Sequence, residues 1–503
     1  MGIPVPVQLG RRRAVGLVLG PLLFAVLVTS PVPAGLDAPA WRTAAVAVLM
    51  AVWWITEAIP IPATALLPIA LFPILGVAPV EGAAAPYANS VIYLFLGGFL
   101  LAAGMQRWGL HRRVALRVLR SVGFGPTRIV GGFMAATALV SLWVSNTATT
   151  AMMYPIGLSV MQLVRGGGNG RGGPSNFETC LMLGIAYAAS IGGLGTLIGT
   201  PPNALLAGFF SETYGVEIGF ARWMIVGIPL VALMLPLAWF ILVRVVYPLR
   251  PGDLGDARER LEHETGRLGP LGRGEARMAG VVVVTALAWM LQPLLARWVP
   301  GLSDAGIAIG AGIALFLVPV EPRRGVFLLD WGAASKLPWD VLVLFGGGLS
   351  LADAIHRTGL SRWIGAALGG LDALPAVALV GCVVLAMIFL TELTSNTASA
   401  ASFLPVIAAL AVGIGESPLL LAVPMVVAAS CAFMLPVATP PNAIVFASGA
   451  VPIGRMARAG LVLNLVFTVL ITAATWLLLP VAFGVRPGVL PPWAAAPTPP
   501  AGG

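Results

Sequence analysis

Apolar segments long enough to cross a bilayer recur along nearly the whole chain, and no other feature constrains the fold as much. They run over residues 14–33, 43–58, 62–79, 90–106, 179–214, 222–246, 278–299, 304–320, 339–356, 417–449 and 458–483. In hydrocarbon every backbone N–H and C=O must be satisfied internally, so such segments are helices. Two further stretches, 128–164 and 373–413, are too long for one span and carry polar residues at their middles. They read as re-entrant hairpins, which are allowed where protein buries the tip or water reaches it. The expected fold class is an all-α polytopic membrane protein of about 11 transmembrane helices plus two re-entrant hairpins. Composition agrees. Of 503 residues 58% are apolar and 10% charged, with mean hydropathy +0.94; a soluble domain has roughly 25% charged residues. A soluble enzyme, a nucleic-acid-binding domain and a disordered scaffold are excluded, and the lipid bilayer is the expected surrounding.

The net charge of +9 fits an excess of Arg and Lys in cytoplasmic loops. Arg11, Arg12 and Arg13 place the N-terminus inside; a cleaved signal peptide is the alternative, disfavoured by the multispan chain that follows. Arg107, Arg112, Arg113, Arg117 and Arg120 follow the fourth span, and Arg323, Arg324, Arg455 and Arg458 also fall inside. The mixed-charge stretch 247–277 reads as the largest cytoplasmic loop, the C-terminus is expected outside, and the Pro-, Ala- and Gly-rich tail is expected to be disordered. Three cysteines without a Cys-x-x-Cys and three scattered histidines suggest no metal centre of the zinc type.

The chain repeats itself. FLGGFLLAAGMQRWGL (95–110) matches FGGGLSLADAIHRTGL (345–360), and Ser145-Asn146-Thr147-Ala148 matches Ser395-Asn396-Thr397-Ala398. Thr200-Pro201-Pro202-Asn203-Ala204 recurs as Thr439-Pro440-Pro441-Asn442-Ala443. The domains expected are an N-terminal segment with the first helix (1–39), a first repeat (40–250), a cytoplasmic linker (251–277), a second repeat (278–484) and a tail (485–503). Each repeat comprises scaffold helices, then a hairpin (128–164 or 373–413), then a broken helix (179–214 or 417–449). The span count sends the two copies in opposite directions, the mark of inverted repeats in an alternating-access transporter.

The motifs suit ion chemistry. Proline removes backbone donors and frees carbonyls; these, with Ser, Thr and Asn oxygens, suit a weakly bound cation such as Na⁺. The hydroxyls, amides and half-helix N-termini offer donors to an anion. One Ser-Asn-Thr is more simply helix glue, but two copies paired with two Pro-Pro-Asn breaks point to a site. No Lys or Arg occurs between Arg128 and Arg165, Arg171 and Arg222, or Arg362 and Arg455, so a dianion there needs bound cations to offset its desolvation cost. Glu57 and Glu392 are the acidic residues placed inside the membrane. Each is read as capping a helix or pairing near an interface, with proton coupling as the alternative.

The stretches AVWWITEAIPIPATALLPIALFPILGV (51–77), SLWVSNTATTAMMYPI (141–156), TELTSNTAS (391–399) and LPVATPPNAIVFASG (435–449) closely resemble the divalent anion/sodium symporter family of dicarboxylate, tricarboxylate and sulfate carriers. The resemblance implies a homodimer whose transport domain, holding both hairpins, moves as an elevator against a scaffold. It implies one Na⁺ site at Ser141, Ser145 and Asn146 with the backbone around Gly199, and another at Thr391, Thr394 and Asn396 with the backbone at Ala438. It implies substrate contacts from Ser145, Asn146, Thr147, Ser395, Asn396 and Thr397, with Thr200, Pro201, Thr439 and Pro440 opposite. The function implied is Na⁺-driven transport of C4-dicarboxylates such as succinate, malate and fumarate, with no bond chemistry, no organic cofactor and no nucleic acid. The expected location is a bacterial inner membrane. A Na⁺-independent dicarboxylate exchanger and a Na⁺-coupled sulfate or citrate carrier are the alternatives within transport. A membrane enzyme would need a nucleophile or acid/base cluster that the spans lack, and a channel would show no counterflow.

Overall fold

The computed structural model describes residues 11–122, 125–166, 175–249, 269–367 and 374–495. The chain is mostly helical. Helices α1 (Arg11–Thr29) and α2 (Ala38–Thr56) pack together and lead through a run of short helices into α3 (Ser90–Arg107). An amphipathic helix α4 (Leu110–Val122) precedes a helical hairpin of α5 (Pro126–Ser141) and α6 (Asn146–Gly166). Then come α7 (Asn176–Gly193), α8 (Pro201–Tyr214) and α9 (Phe220–Phe240), the last running on as a π-helical turn, Ile241–Val246. The second half repeats the order. Helices α10 (Arg273–Leu295), α11 (Asp304–Leu317) and α12 (Trp339–Arg357) lead to α13 (Leu360–Ala367). A second hairpin, α14 (Ala376–Thr391) and α15 (Asn396–Gly413), is followed by α16 (Pro418–Ala429), α17 (Pro440–Phe446) and α18 (Ile453–Phe483).

Among the described residues seven helices are long and apolar enough to cross a membrane, and four shorter apolar helices accompany them. The structure departs from the expected spans in particular places. Stretch 62–79 is not one helix: it breaks into Ile61–Thr64 and Leu67–Ile74, because Pro62 and Pro68 start new helices where their missing N–H costs nothing, and Pro60 precedes them. The all-α expectation holds apart from a two-stranded hairpin, Pro319–Glu321 against Val326–Phe327, which carries Arg323 and Arg324 at its turn. Of the arginines after the fourth span, Arg107 ends α3 and the other four lie on α4, a helix that was not anticipated. Ala115, Leu116 and Leu119 of α4 are buried while Arg112, Arg117 and Arg120 point outward. Arg113 is its exception: buried, it pairs with Glu275 at 2.8 and 3.0 Å.

Much of the expected linker 251–277, and the tail beyond 495, lie outside the described residues; α10 already begins at Arg273. The expectation of a disordered tail from residue 485 is narrowed. Trp493 packs edge-on against Phe210 and Tyr214, and the Gly488 N–H donates to Glu416 at 2.8 Å. Glu57 ends α2 in a left-handed conformation (φ 50°), its carbonyl accepting from Arg13, so it caps a helix against α1.

Packing between the halves is crossed. Helix α6 of the first hairpin touches α17 of the second half, and α15 of the second hairpin touches α8 of the first. Likewise α7 packs on α17, and α16 on α8. The two hairpins and the two broken helices therefore form one cluster. Close approach needs small residues where lipid supplies no hydrophobic drive. A Cβ on Gly97 of α3 would stand 2.5 Å from the backbone of Ala308 in α11.

Candidate functional site

Each hairpin turns where its polar tripeptide begins. In the first, α5 ends at Ser141, residues 142–145 turn, and α6 starts at Asn146; in the second, α14 ends at Thr391 and α15 starts at Asn396. Each following helix is interrupted. The chain unwinds between Gly193 and Pro201, and between Ala429 and Pro440, with Pro201 and Pro440 at the first position of the next helix.

Around these breaks oxygen atoms gather with few protons to share. The Ser141 hydroxyl is fully buried and lies 2.8 Å from both Asn146 Oδ1 and Ala189 O. Its repeat partner Thr391, also fully buried, lies 2.7 Å from Asn396 Oδ1 and 2.9 Å from Ala429 O. One hydroxyl proton serves one acceptor at a time, so each cluster keeps a surplus of lone pairs. In the first copy the cluster extends. A Cβ built on Gly193 would stand 2.5 Å from Asn146 Oδ1 and 3.1 Å from Gly199 O. Asn146, Gly193 and the Gly199 carbonyl thus meet at one point, where a side chain would fill the space.

Asn203 and Asn442 hold the breaks open. Asn203 Nδ2 donates to Thr196 O at 2.8 Å and to Gly193 O at 3.2 Å; Asn442 Nδ2 donates to Ala432 O and Leu435 O, both at 3.0 Å. Both side chains are fully buried, and among the described residues neither Oδ1 has a donor. Unpaired buried oxygens are costly. A bound cation is the chemistry that would satisfy such a donor-poor, oxygen-rich pair of clusters.

The tripeptides themselves are reachable. Ser145 and Thr147 are exposed, and Asn146, Ser395, Asn396 and Thr397 are half-buried. They sit in front of the buried Ser141 and Thr391, at the N-termini of α6 and α15, where the helix dipole and free N–H groups favour an anion. Thr200 and Thr439 are buried N-caps, Pro201 is half-buried and Pro440 exposed. Ala438 lies in the second unwound segment, its N–H donating to Leu435 O. Thr394 is engaged inside its hairpin, donating to Leu390 O at 3.0 Å and meeting the Ser399 hydroxyl.

Sequence reasoning missed Ala189, Ala429, Gly193 and Ser399, and treated Asn203 and Asn442 only as part of a helix-breaking motif. The asparagines were findable, since both stand at the same place in the repeated Thr-Pro-Pro-Asn. The carbonyls of Ala189 and Ala429 were not, since no residue type announces a backbone oxygen. The structure also gives Glu392 a part. Its carboxylate is buried and accepts from the N–H groups of Phe433, Met434 and Leu435 at 2.6, 2.8 and 3.1 Å, and from Asn464 Nδ2 at 2.8 Å.

The sequence profile of the sodium:sulfate symporter transmembrane region matches residues 11–482. The chain belongs to the divalent anion/sodium symporter family. It is therefore an integral membrane transporter and not an enzyme. The sodium-dependent dicarboxylate transporter SdcS of Staphylococcus saprophyticus is 41% identical over 480 residues, covering 94% of this chain and 92% of the relative. The protein of the same name from Staphylococcus aureus matches to the same extent. Among solved structures, the YdaH transporter of Alcanivorax borkumensis has a TM-score of 0.53 at 17% identity, covering 94% of this chain and 97% of that one. The efflux pump MtrF of Neisseria gonorrhoeae has a TM-score of 0.55 at 14% identity, covering 90% and 96%. These two likenesses are of fold alone.

Proposed function

We propose that this symporter-family chain carries C4-dicarboxylates such as succinate, malate and fumarate together with Na⁺ across a bacterial inner membrane. The observation that carries the reading is the matched pair of buried clusters, Ser141–Asn146–Ala189 and Thr391–Asn396–Ala429, each behind a reachable Ser-Asn-Thr. The names of the 41% identical relatives support Na⁺ and a dicarboxylate.

In this reading Ser141, Ser145, Asn146 and the Gly199 carbonyl hold one Na⁺, and Thr391, Thr394, Asn396 and the Ala438 backbone hold another. Ser145, Asn146, Thr147, Ser395, Asn396 and Thr397 meet the two carboxylates, with Thr200, Pro201, Thr439 and Pro440 lining the opposite wall. The dianion finds no Arg or Lys there, so the two cations offset its charge. By linkage, Na⁺ raises substrate affinity and substrate raises Na⁺ affinity by the same factor. The two halves, 40–250 and 278–484, are inverted repeats, with the N-terminus cytoplasmic and the C-terminus outside. The crossed cluster of hairpins and broken helices is the transport domain of a homodimer. It moves as an elevator against the remaining helices, and the half-loaded carrier does not cross.

Radiolabelled succinate uptake into proteoliposomes, with an inward Na⁺ gradient or with choline in place of Na⁺, tests this. Uptake only with Na⁺ is expected. Equal uptake without Na⁺, confined to succinate-loaded vesicles, would make the protein an exchanger. Sulfate is the second reading because the matched family description names it, and uptake of sulfate or citrate but not succinate would replace the substrate.

A further inference from the structure

Among the described residues, Glu392 is the acidic residue built into the candidate site. It follows Thr391 directly, and its carboxylate reaches the unwound segment that begins just after Ala429, whose carbonyl takes the Thr391 hydroxyl. Its two oxygens take four N–H donors: Phe433, Met434 and Asn464 on Oε1, and Leu435 on Oε2. Three of these are successive backbone groups of the unwound segment between α16 and α17, which would otherwise be orphaned donors in a buried place. Glu392 makes no ion pair among the described residues. Backbone and amide dipoles soften a buried charge but leave its net charge in place. The first copy has Leu142 at the corresponding position, and the link there is neutral: the Thr196 hydroxyl donates to Leu142 O at 2.6 Å.

We propose that Glu392 is a positioning residue that makes the second cation site the tighter of the two. It holds the carbonyl-bearing unwound segment in register with Thr391, and it supplies the negative charge for which a cation beside Thr391 and Asn396 is the counter-ion. The same charge disfavours a dianion at the neighbouring tripeptide until the cation has bound, so it tightens coupling. The inference rests on the proposed Na⁺ symport.

The test is the Na⁺ concentration for half-maximal succinate uptake, measured with the full-length protein in proteoliposomes, together with Na⁺-dependent thermal protection of the purified protein without substrate. Wild type serves as the check on the underlying reading: if its uptake and melting ignore Na⁺, Na⁺ symport itself fails, and this inference with it. Given Na⁺ dependence in wild type, Glu392→Gln is expected to raise half-saturating Na⁺ about tenfold, which corresponds to about 1.4 kcal/mol, and to lose most of the thermal protection. Glu392→Asp keeps the charge and is expected to recover most of the shift. A Gln variant with wild-type Na⁺ dependence and only a lower maximal rate would overturn the proposal, since that is the mark of a structural role. Should Glu392→Gln not yield folded protein, Asn464→Ala removes one donor and leaves the charge. It is expected to raise half-saturating Na⁺ two- to threefold, and an unchanged value would overturn the proposal equally.

Discussion

In the first copy the hairpin tip is joined to the broken helix by a neutral bond from Thr196 to the Leu142 carbonyl; in the second, the tip sends a carboxylate into the break to collect three backbone N–H groups and Asn464. In both copies the tip accepts and the break donates; what differs is that the acceptor is a neutral carbonyl in the first and a carboxylate in the second. The first break closes its own backbone, with Leu194 N donating to Ile191 O and Gly195 N to Gly192 O, and Trp223 Nε1 donating to Leu194 O at 2.9 Å. The second break leaves donors for Glu392. Burial differs too: residues 191–200 are all buried, whereas Met434 and Leu435 are half-buried and Val437 is exposed. A repeat that keeps its tripeptide, its Pro-Pro-Asn and its oxygen clusters has thus diverged in what supports them. The oxygen clusters keep their geometry in both copies, while the scaffold behind them needs only to satisfy its own hydrogen bonds.

The largest expected effect tests what the copies share. Asn146→Ala and Asn396→Ala each remove the amide that joins cluster to tripeptide, and each is expected to lower succinate uptake at least a hundredfold while protein still elutes as a folded species in detergent. Full uptake by either variant would separate its copy from the site. The next test exploits a difference. Gly193 faces Asn146 Oδ1 across a gap that a methyl would close, yet Ala432, whose carbonyl takes the Asn442 amide as Gly193's takes that of Asn203, already bears one. Gly193→Ala is therefore expected to cut uptake tenfold or more, and Ala432→Gly by less than threefold. Equal losses would show that the two clusters have the same steric tolerance. The smallest effect concerns stability. Asn464→Ala removes a buried hydrogen bond to a carboxylate, about 2 kcal/mol, whereas Thr196→Val removes a neutral one, about 1 kcal/mol. Thermal melting in detergent should rank Asn464→Ala below Thr196→Val, and the reverse order would contradict the charged character of the second joint.

The chain's sequence was legible where a local rule spoke. Span-length apolar runs located most helices, prolines located the two breaks, and the twofold recurrence of Ser-Asn-Thr marked the two hairpin turns. It was less legible where two local rules competed. The run 62–79 is apolar enough for a span, but Pro62 and Pro68 divide it. The arginines of α4 read as a loop-facing charge cluster, although their spacing leaves Ala115, Leu116 and Leu119 on one buried face. Glu392 was read as a cap or an interface pair. It stands at the C-cap of α14, and its carboxylate in addition satisfies an unwound segment 41 residues later.

By itself the sequence determined that this chain lives in lipid, that its polar motifs recur in the same order, and which residue types its candidate site offers, because hydrophobic length, proline and repeated polar triplets act through neighbours in the chain. Only the tertiary structure decided which oxygens meet. Ala189 and Ala429 contribute by their carbonyls, and Glu392 is chosen by three N–H groups of the unwound segment between α16 and α17. The crossed packing of α6 on α17 and α15 on α8 joins what lies far apart along the chain. Contacts of that kind are set by backbone geometry between distant segments, and a backbone carbonyl looks the same at every position of a sequence.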